Sequence, residues 1–396
     1  MEKHRAAARA AIVEDADWEG ALRHALDQTR GIFPDVALFF ASAAHAEHFP
    51  ELARRAWQET GASILVGCSG QGLIGPEREL EDAPSVALLT LALPGAILQA
   101  VRFTQDLVEA AEEPRHWHEA LGVLPDAVNG WLVFADPFRM DCEGLVDGLA
   151  AAYPGRPVLG GLATGNRSER RTYVFLNGEA HDEGGVGLAI GGSYSILPLV
   201  SQGCEPIGEP WTITGVQDNY IQTISNRPAY EVLVETFQAL PDDLQRRAQR
   251  NLLVGLAADE YRDEFQRGDF LIRSLVGIHR HNGALAIGAY PRVGQTIQFQ
   301  IRDSATAHAD LCASLDRGRA SLGNRQLVAG VLCSCNGRGV GMFGVPNHDA
   351  TAIANQLGSL PLAGLFCNGE IGPVGSRPFL HGFTASLALI VAQGGP

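Results

Sequence analysis

Short apolar runs, each closed by glycine, proline or a polar turn, recur along the chain and alternate with stretches whose apolar positions repeat every three or four residues. The runs do not alternate apolar with polar as a half-exposed strand does. They therefore read as strands buried on both faces, as in a parallel sheet covered by helices. Four stretches can be laid over one another. The first runs from VALFFAS (Val36 to Ser42) through a helix near Phe49 to Thr60 into ILVGCSGQG and then SVALLTLAL. The second runs from GWLVFADP through a helix near Cys142 to Ala152 into PVLGGLATG and then GVGLAIGG. A third, weaker copy runs from NLLVGLAAD through EYRDEFQRG into DFLIRSLVGI and then GALAIG. The fourth runs from GVLCSCNGRG through a helix near Asp349 to Leu357 into PLAGLFCNGEIGP and then TASLALIVA.

Each stretch predicts a β-α-β-β unit, with a right-handed parallel crossover and a third strand returning antiparallel. Three units share a glycine ending the second strand and another five positions on: Gly67 and Gly72, Gly160 and Gly165, Gly364 and Gly369. The first and fourth match further, as G-x4-G-x-I-G-P from Gly67 to Pro76 and from Gly364 to Pro373. The pattern predicts an α/β fold, a layered α-β-β-α sandwich of repeated β-α-β-β units in two pseudo-equivalent halves. Residues 1–20 read as an N-terminal tail, 21–205 as the first half, 206–250 as a bridge with a connecting helix, and 251–396 as the second half.

Composition narrows the chemistry. Of 30 basic residues among 396, only Lys3 is a lysine, and it sits in a polar terminal stretch. A P-loop, a protein kinase and a Schiff-base enzyme each need a placed lysine, so all three are excluded. A net charge of −15 argues against a nucleic-acid partner or an anionic membrane surface, both of which need a basic stripe. The longest apolar runs, Val86 to Leu98 and Ala385 to Ala392, are too short or interrupted to span a bilayer, and the first residues lack an apolar core of signal-peptide length. Seven cysteines without a CxxC pair fit a reducing compartment, so the expectation is a cytoplasmic protein.

The fourth stretch, GVLCSCNGRGVGMFG through NGEIGPVGSRPFLHGFTASLAL, resembles the C-terminal signature of the FIST sensory family. SILVGCSGQGLIGP with SVALLTLAL is similar to its N-terminal half, and DFLIRSLVGIHRHNGALAIGAYPRVGQTIQFQIRD to the joining segment. The resemblance covers about residues 20 to 392. It implies a small-ligand sensory module with an amino-acid-like ligand, or, as some members are reported, a haem protein responding to nitric oxide. No kinase, cyclase or chemotaxis segment is recognisable, so any signal is expected to pass in trans to a separate signalling output protein.

Loops after parallel strands converge at the strands' carboxyl ends, where open α/β sheets bind ligands. In the fourth unit these loops carry Cys335, Asn336, Arg338, Asn368 and Glu370, with His381 just before the last strand. The equivalent turns elsewhere are blander: Gln71 and Leu73, Thr164 and Asn166. Arg338 suits a ligand carboxylate and Glu370 an ammonium group, and the same two residues are equally able to pair with each other. Arg302 and Asp303 read either as charged residues at a strand end or as the cap of a helix beginning near Ala305. Cys68, Cys335 and Cys367 are candidates for a reactive thiol or a haem ligand, against the default of small buried side chains. His279 and His281, two apart in GIHRHNGA, are alternative haem ligands or part of an ordinary hairpin turn at Gly283. His45 with His48, and His116 with His118, read as solvated surface residues rather than metal ligands. No residue set points to catalysis, no cofactor is required beyond the haem alternative, and a cysteine-dependent enzyme is the remaining alternative.

Overall fold

A computed structural model describes residues 5–165, 170–279 and 281–393, so Lys3 and Asn166 lie outside the described residues. The first repeat contains β1 (Ala7–Glu14), α1 (Trp18–Thr29), β2 (Val36–Ser42), α2 (Phe49–Thr60), β3 (Ile64–Gly70), β4 (Gly72–Gly75), β5 (Arg78–Leu80) and β6 (Ser85–Ala92). The second contains β7 (Ala96–Phe103), α3 (Gln105–Ala110), α4 (Pro114–Leu121), β8 (Gly130–Ala135), α5 (Cys142–Ala152), β9 (Val158–Leu162), β10 (Val174–Leu176), β11 (Glu179–His181) and β12 (Gly185–Gly192). There follow β13 (Tyr194–Ser201), β14 (Glu205–Gln217), β15 (Tyr220–Ile224), β16 (Arg227–Pro228), α6 (Ala229–Gln238), α7 (Asp242–Asn251), β17 (Leu252–Ala257), β18 (Phe270–His279), β19 (Ala284–Ile287), β20 (Thr296–Ile301) and α8 (Ser304–Leu322). The last repeat is β21 (Gln326–Cys335), α9 (Val340–Phe343), α10 (His348–Leu357), β22 (Leu362–Cys367), β23 (Glu370–Val374), β24 (Arg377–His381) and β25 (Ala385–Ala392).

These elements divide into two compact units, residues 1–200 with 312–380 and 384–396, and residues 201–311 with 381–383. In the first unit three six-stranded sheets share one plan. Each has a leading strand, a returning strand, a parallel pair and a two-stranded hairpin, as in the order β1-β6-β2-β3-β10-β11. The hairpin is never the repeat's own. β4–β5 of the first repeat extends β22, β23–β24 of the last extends β9, and β10–β11 of the second extends β3, closing a ring of three.

The double-sided burial read from the sequence follows from this plan. Along β2, Val36, Leu38 and Phe40 enter a core shared with strands of the other two sheets, while Ala37, Phe39 and Ala41 pack beneath α1 and α2. Along β8, Leu132 and Phe134 face the shared core and Trp131, Val133 and Ala135 face the helix side with α4 and α5. The fold is thus mixed α/β, with helices outside and sheets packed face to face within.

The paired glycines have a steric cause. A Cβ on Gly67, Gly160 or Gly364 would stand 1.8 Å from the carbonyl oxygen of Phe39, Val133 or Leu332 respectively, each on the neighbouring parallel strand. Only glycine lets the parallel pair close at that point.

The third repeat is corrected by the second unit. β17 pairs β18 antiparallel, with no helix over EYRDEFQRG, and both belong to a seven-stranded sheet with β14, β15, β16, β19 and β20. Apolar runs in an antiparallel sheet covered by α6 and α7 resemble those of a parallel one, and Leu253↔Ser274 through Ala257↔Phe270 is a meander, not a crossover. In chain order this unit interrupts the last repeat between its leading strand β13 and its first parallel strand β21.

Candidate functional site

The site elements are the carboxyl ends of β21 and β22, which run parallel with Cys335 opposite Cys367. After Cys335 the chain turns sharply: Arg338 N donates to the Cys335 carbonyl at 2.8 Å, and Gly337 N lies 3.4 Å from the Cys335 sulfur. Gly339, at φ 78°, starts α9, and a Cβ there would sit 2.6 Å from the Glu81 carboxylate. That carboxylate accepts the Val340 N–H at 2.8 Å.

Around the strand ends, four of the expected residues come together. Asn336 N donates to the Cys367 carbonyl at 3.0 Å, and the Asn336 side-chain Nδ2 donates to Asn368 Oδ1 at 3.2 Å. Glu370 is fully buried; its Oε2 accepts the Thr384 N–H at 3.0 Å and its Oε1 the Cys367 thiol at 3.4 Å. The Thr384 carbonyl in turn accepts the Cys335 N–H at 2.9 Å, so one residue holds both the end of β21 and the Glu370 carboxylate. Cys335 and Asn336 are half-buried and Asn368 is exposed, giving a polar rim over a buried carboxylate.

Arg338 turns inward. Its Nε and Nη2 donate to the two oxygens of Asp349 at 2.6 and 2.9 Å, with both side chains buried. Its guanidinium carbon lies 5.2 Å from the Phe343 ring, on which His348 stacks. Ser334 Oγ adds a third donor to Asp349 at 3.0 Å, and His348 Nδ1 lies 2.9 Å from it. Burial opposes the charge on Asp349, yet the Arg338 guanidinium and His348 outweigh it and hold the carboxyl well below its ordinary range. The bidentate fork fits a carboxylate, and the one it grips is Asp349 of the following helix rather than Glu370, the intramolecular partner the sequence offered.

Sequence reasoning passed over Asp349 and its neighbours. Glu79, on the borrowed hairpin strand β5, accepts the Ala350 N–H at 2.8 Å, and Glu79 N donates to Asn347 Oδ1 at 2.8 Å. Burial, then the charge on Asp349, push the Glu79 carboxyl up to about 7. Only Asp349, in the first turn of a helix, had a local signal; Glu79 and Glu81 lie some 270 residues away in sequence.

The remaining candidates fall elsewhere. His381, the last residue of β24, is buried and groups with the second unit. His279 and His281, also in the second unit, are exposed with ring centroids 5.9 Å apart; Arg280 between them is outside the described residues. Arg302 stacks on Phe383 at 5.3 Å, and Asp303 caps α8 through Thr306 N at 2.9 Å while pairing with Arg247. Burial, then Cys333, raise the thiols of Cys68 and Cys367 well above normal, and burial, then Asp136, raise Cys142 to about 12. His45 is buried rather than solvated, and His118 meets the Ala152 carbonyl at 2.7 Å. Among the described residues no cluster of three or more His, Cys, Asp or Glu side chains is arranged to hold a metal ion, and no helix is long and apolar enough to cross a membrane.

Residues 35–227 match the FIST N domain and residues 229–373 the FIST C domain. An uncharacterized protein of Mycobacterium tuberculosis is 36% identical over 375 residues, 94% of this chain and 95% of that one. One of Mycobacterium bovis is 34% identical over 97% of this chain and 96% of its own length. An F-box/LRR-repeat protein of Arabidopsis thaliana is 31% identical over 26% of this chain and 21% of its own length. Among solved structures, the cyanuric acid hydrolase of A. caulinodans overlaps 98% of this chain and all of its own at 11% identity and a TM-score of 0.37, a level at which neither fold nor chemistry transfers. With both domains matched across most of its length, the chain belongs to the FIST family, whose domains are small-ligand sensory domains of signal transduction.

Proposed function

We propose that the protein is a non-catalytic receptor for a small amino-acid-like metabolite, bound where the NGRG and NGEIGP turns meet. The observation that carries this reading is the contact between Asn336 and Asn368 above the buried Glu370 at the ends of two parallel strands. Asn336 and Asn368 offer donors and acceptors in fixed positions, the glycine turns bring backbone N–H groups within reach of a carboxylate, and Glu370 is the anion for an ammonium group. Arg338, neutralised by Asp349, fixes the turn on the carboxylate side, with Cys335 as a further ligand-binding residue. The receptor acts in the cytoplasm and passes its signal in trans to a separate output protein.

A thermal-shift screen against amino acids and related metabolites tests the reading, since a ligand of the folded state raises the melting temperature whatever its chemistry. The expectation is stabilisation by at least one compound carrying both a carboxylate and an ammonium group, abolished in Asn336→Ala. Equal stabilisation of wild type and of Asn336→Ala and Glu370→Gln would move the site elsewhere.

A further inference from the structure

Three cysteines gather at the end of the β21–β22 pair, and they differ in what reaches them. Cys333 and Cys367 are buried, whereas Cys335 is half-exposed in the turn. Cys335 and Cys367 are register partners on adjacent parallel strands, so their Cα atoms stand at the interstrand spacing of about 4.8 Å. That lies inside the window a disulfide requires. Cys333 and Cys335, two apart on one strand, stand about 6.6 Å apart, at the edge of that window. Cys367 already donates its thiol to Glu370, and the Cys335 sulfur lies 3.4 Å from the Gly337 N–H, a donor that favours a thiolate.

We propose that Cys335 and Cys367 form a peroxide-reactive thiol pair, with Cys335 as the attacking and Cys367 as the resolving sulfur. The Cys335 sulfur attacks one oxygen of hydrogen peroxide or an organic hydroperoxide. The O–O bond breaks, the departing oxygen takes the Cys335 proton as water or alcohol, and the sulfur is oxidised by two electrons to a sulfenic acid. Cys367 then attacks that sulfur while its proton passes to Glu370. The S–O bond breaks, the hydroxide takes the proton as a second water, and a Cys335–Cys367 disulfide forms. A thiol donor reverses it. The inference stands independently of the ligand reading, because its readout is a covalent bond.

The test is peptide mapping of the full-length protein treated with hydrogen peroxide. Trypsin cuts after Arg338, separating Cys333 and Cys335 from Cys367. The expected product is a peptide pair joined through Cys335 and Cys367, reverting with dithiothreitol and absent in Cys335→Ser. In Cys367→Ala, Cys335 is expected to stop as a sulfenic acid that labels with dimedone. Mapping the wild type alone decides the matter if that variant fails to fold. A bond from Cys335 to Cys333, a Cys333–Cys367 bond that persists in Cys335→Ser, Cys333 being the other thiol in contact with Cys367, direct over-oxidation of Cys335 with Cys367 still reduced, or a Cys335 that survives peroxide sufficient to oxidise free cysteine would each overturn the proposal.

Discussion

At the scale of single residues, two buried carboxylates lie near each other with opposite electrostatics. Asp349 is held ionised by Arg338, so removing it leaves a guanidinium buried without its partner. Asp349→Ala is expected to cost about 3–5 kcal/mol in urea unfolding, and Arg338→Ala a similar amount. Glu79, by contrast, has a folded-state pKa raised to about 7 by burial and by Asp349. A group that binds its proton more tightly when folded stabilises below its unfolded pKa, and that contribution is lost as pH rises through the folded one. Wild type should therefore lose stability between about pH 4.5 and 7 relative to Glu79→Gln, by up to about 3 kcal/mol. Parallel pH profiles of the two proteins would show it, and superimposable profiles would refute the assignment.

At the scale of elements, the repeat glycines set the geometry of the parallel pairs. Gly364→Ala would drive a methyl group into the Leu332 carbonyl, so either the strand pair opens or the strand bends. The expected cost exceeds about 3 kcal/mol, at the severe end of single substitutions. Gly341, in α9 with no heavy atom within 4 Å of its Cβ position, is the control, and alanine there should be neutral or mildly stabilising. These glycines, the strands and the helices after them were legible because each is a local pattern. The third repeat differs from the sequence pattern because a buried antiparallel meander carries the same apolar runs as a parallel pair. The partner of Arg338 was missed for a related reason: bidentate recognition is visible in the residue type, but whether the carboxylate comes from a ligand or from the next helix is decided by a turn whose path depends on Gly339 and on Glu81 from a distant hairpin.

At the scale of the whole molecule, the first unit is held by hairpins that leave their own repeat. β4–β5 completes a sheet whose other strands come after residue 193, and β3 is extended by β10 rather than by the strand that follows it. No repeat closes its own sheet, and the shared core needs strands from all three. A fragment of residues 1–205 is therefore expected to lack a cooperative melt when expressed alone and to regain one when co-expressed with residues 206–396; independent cooperative folding of the fragment would contradict the exchange. This arrangement also places the first repeat's Glu79 and Glu81 beneath the last repeat's candidate site, which no reading of either repeat alone reveals.

The ligand reading at the β21–β22 ends is tested most directly by calorimetric titration of the most strongly stabilising amino-acid-like metabolite into wild type, Asn336→Ala, Glu370→Gln and the remote surface variant Glu119→Gln on α4. Loss of charge-assisted or buried hydrogen bonds at the site predicts affinity weakened at least about tenfold in the first two variants, and a value within about twofold of wild type in the third. Unchanged affinity in both Asn336→Ala and Glu370→Gln, with the proteins folded, would contradict it.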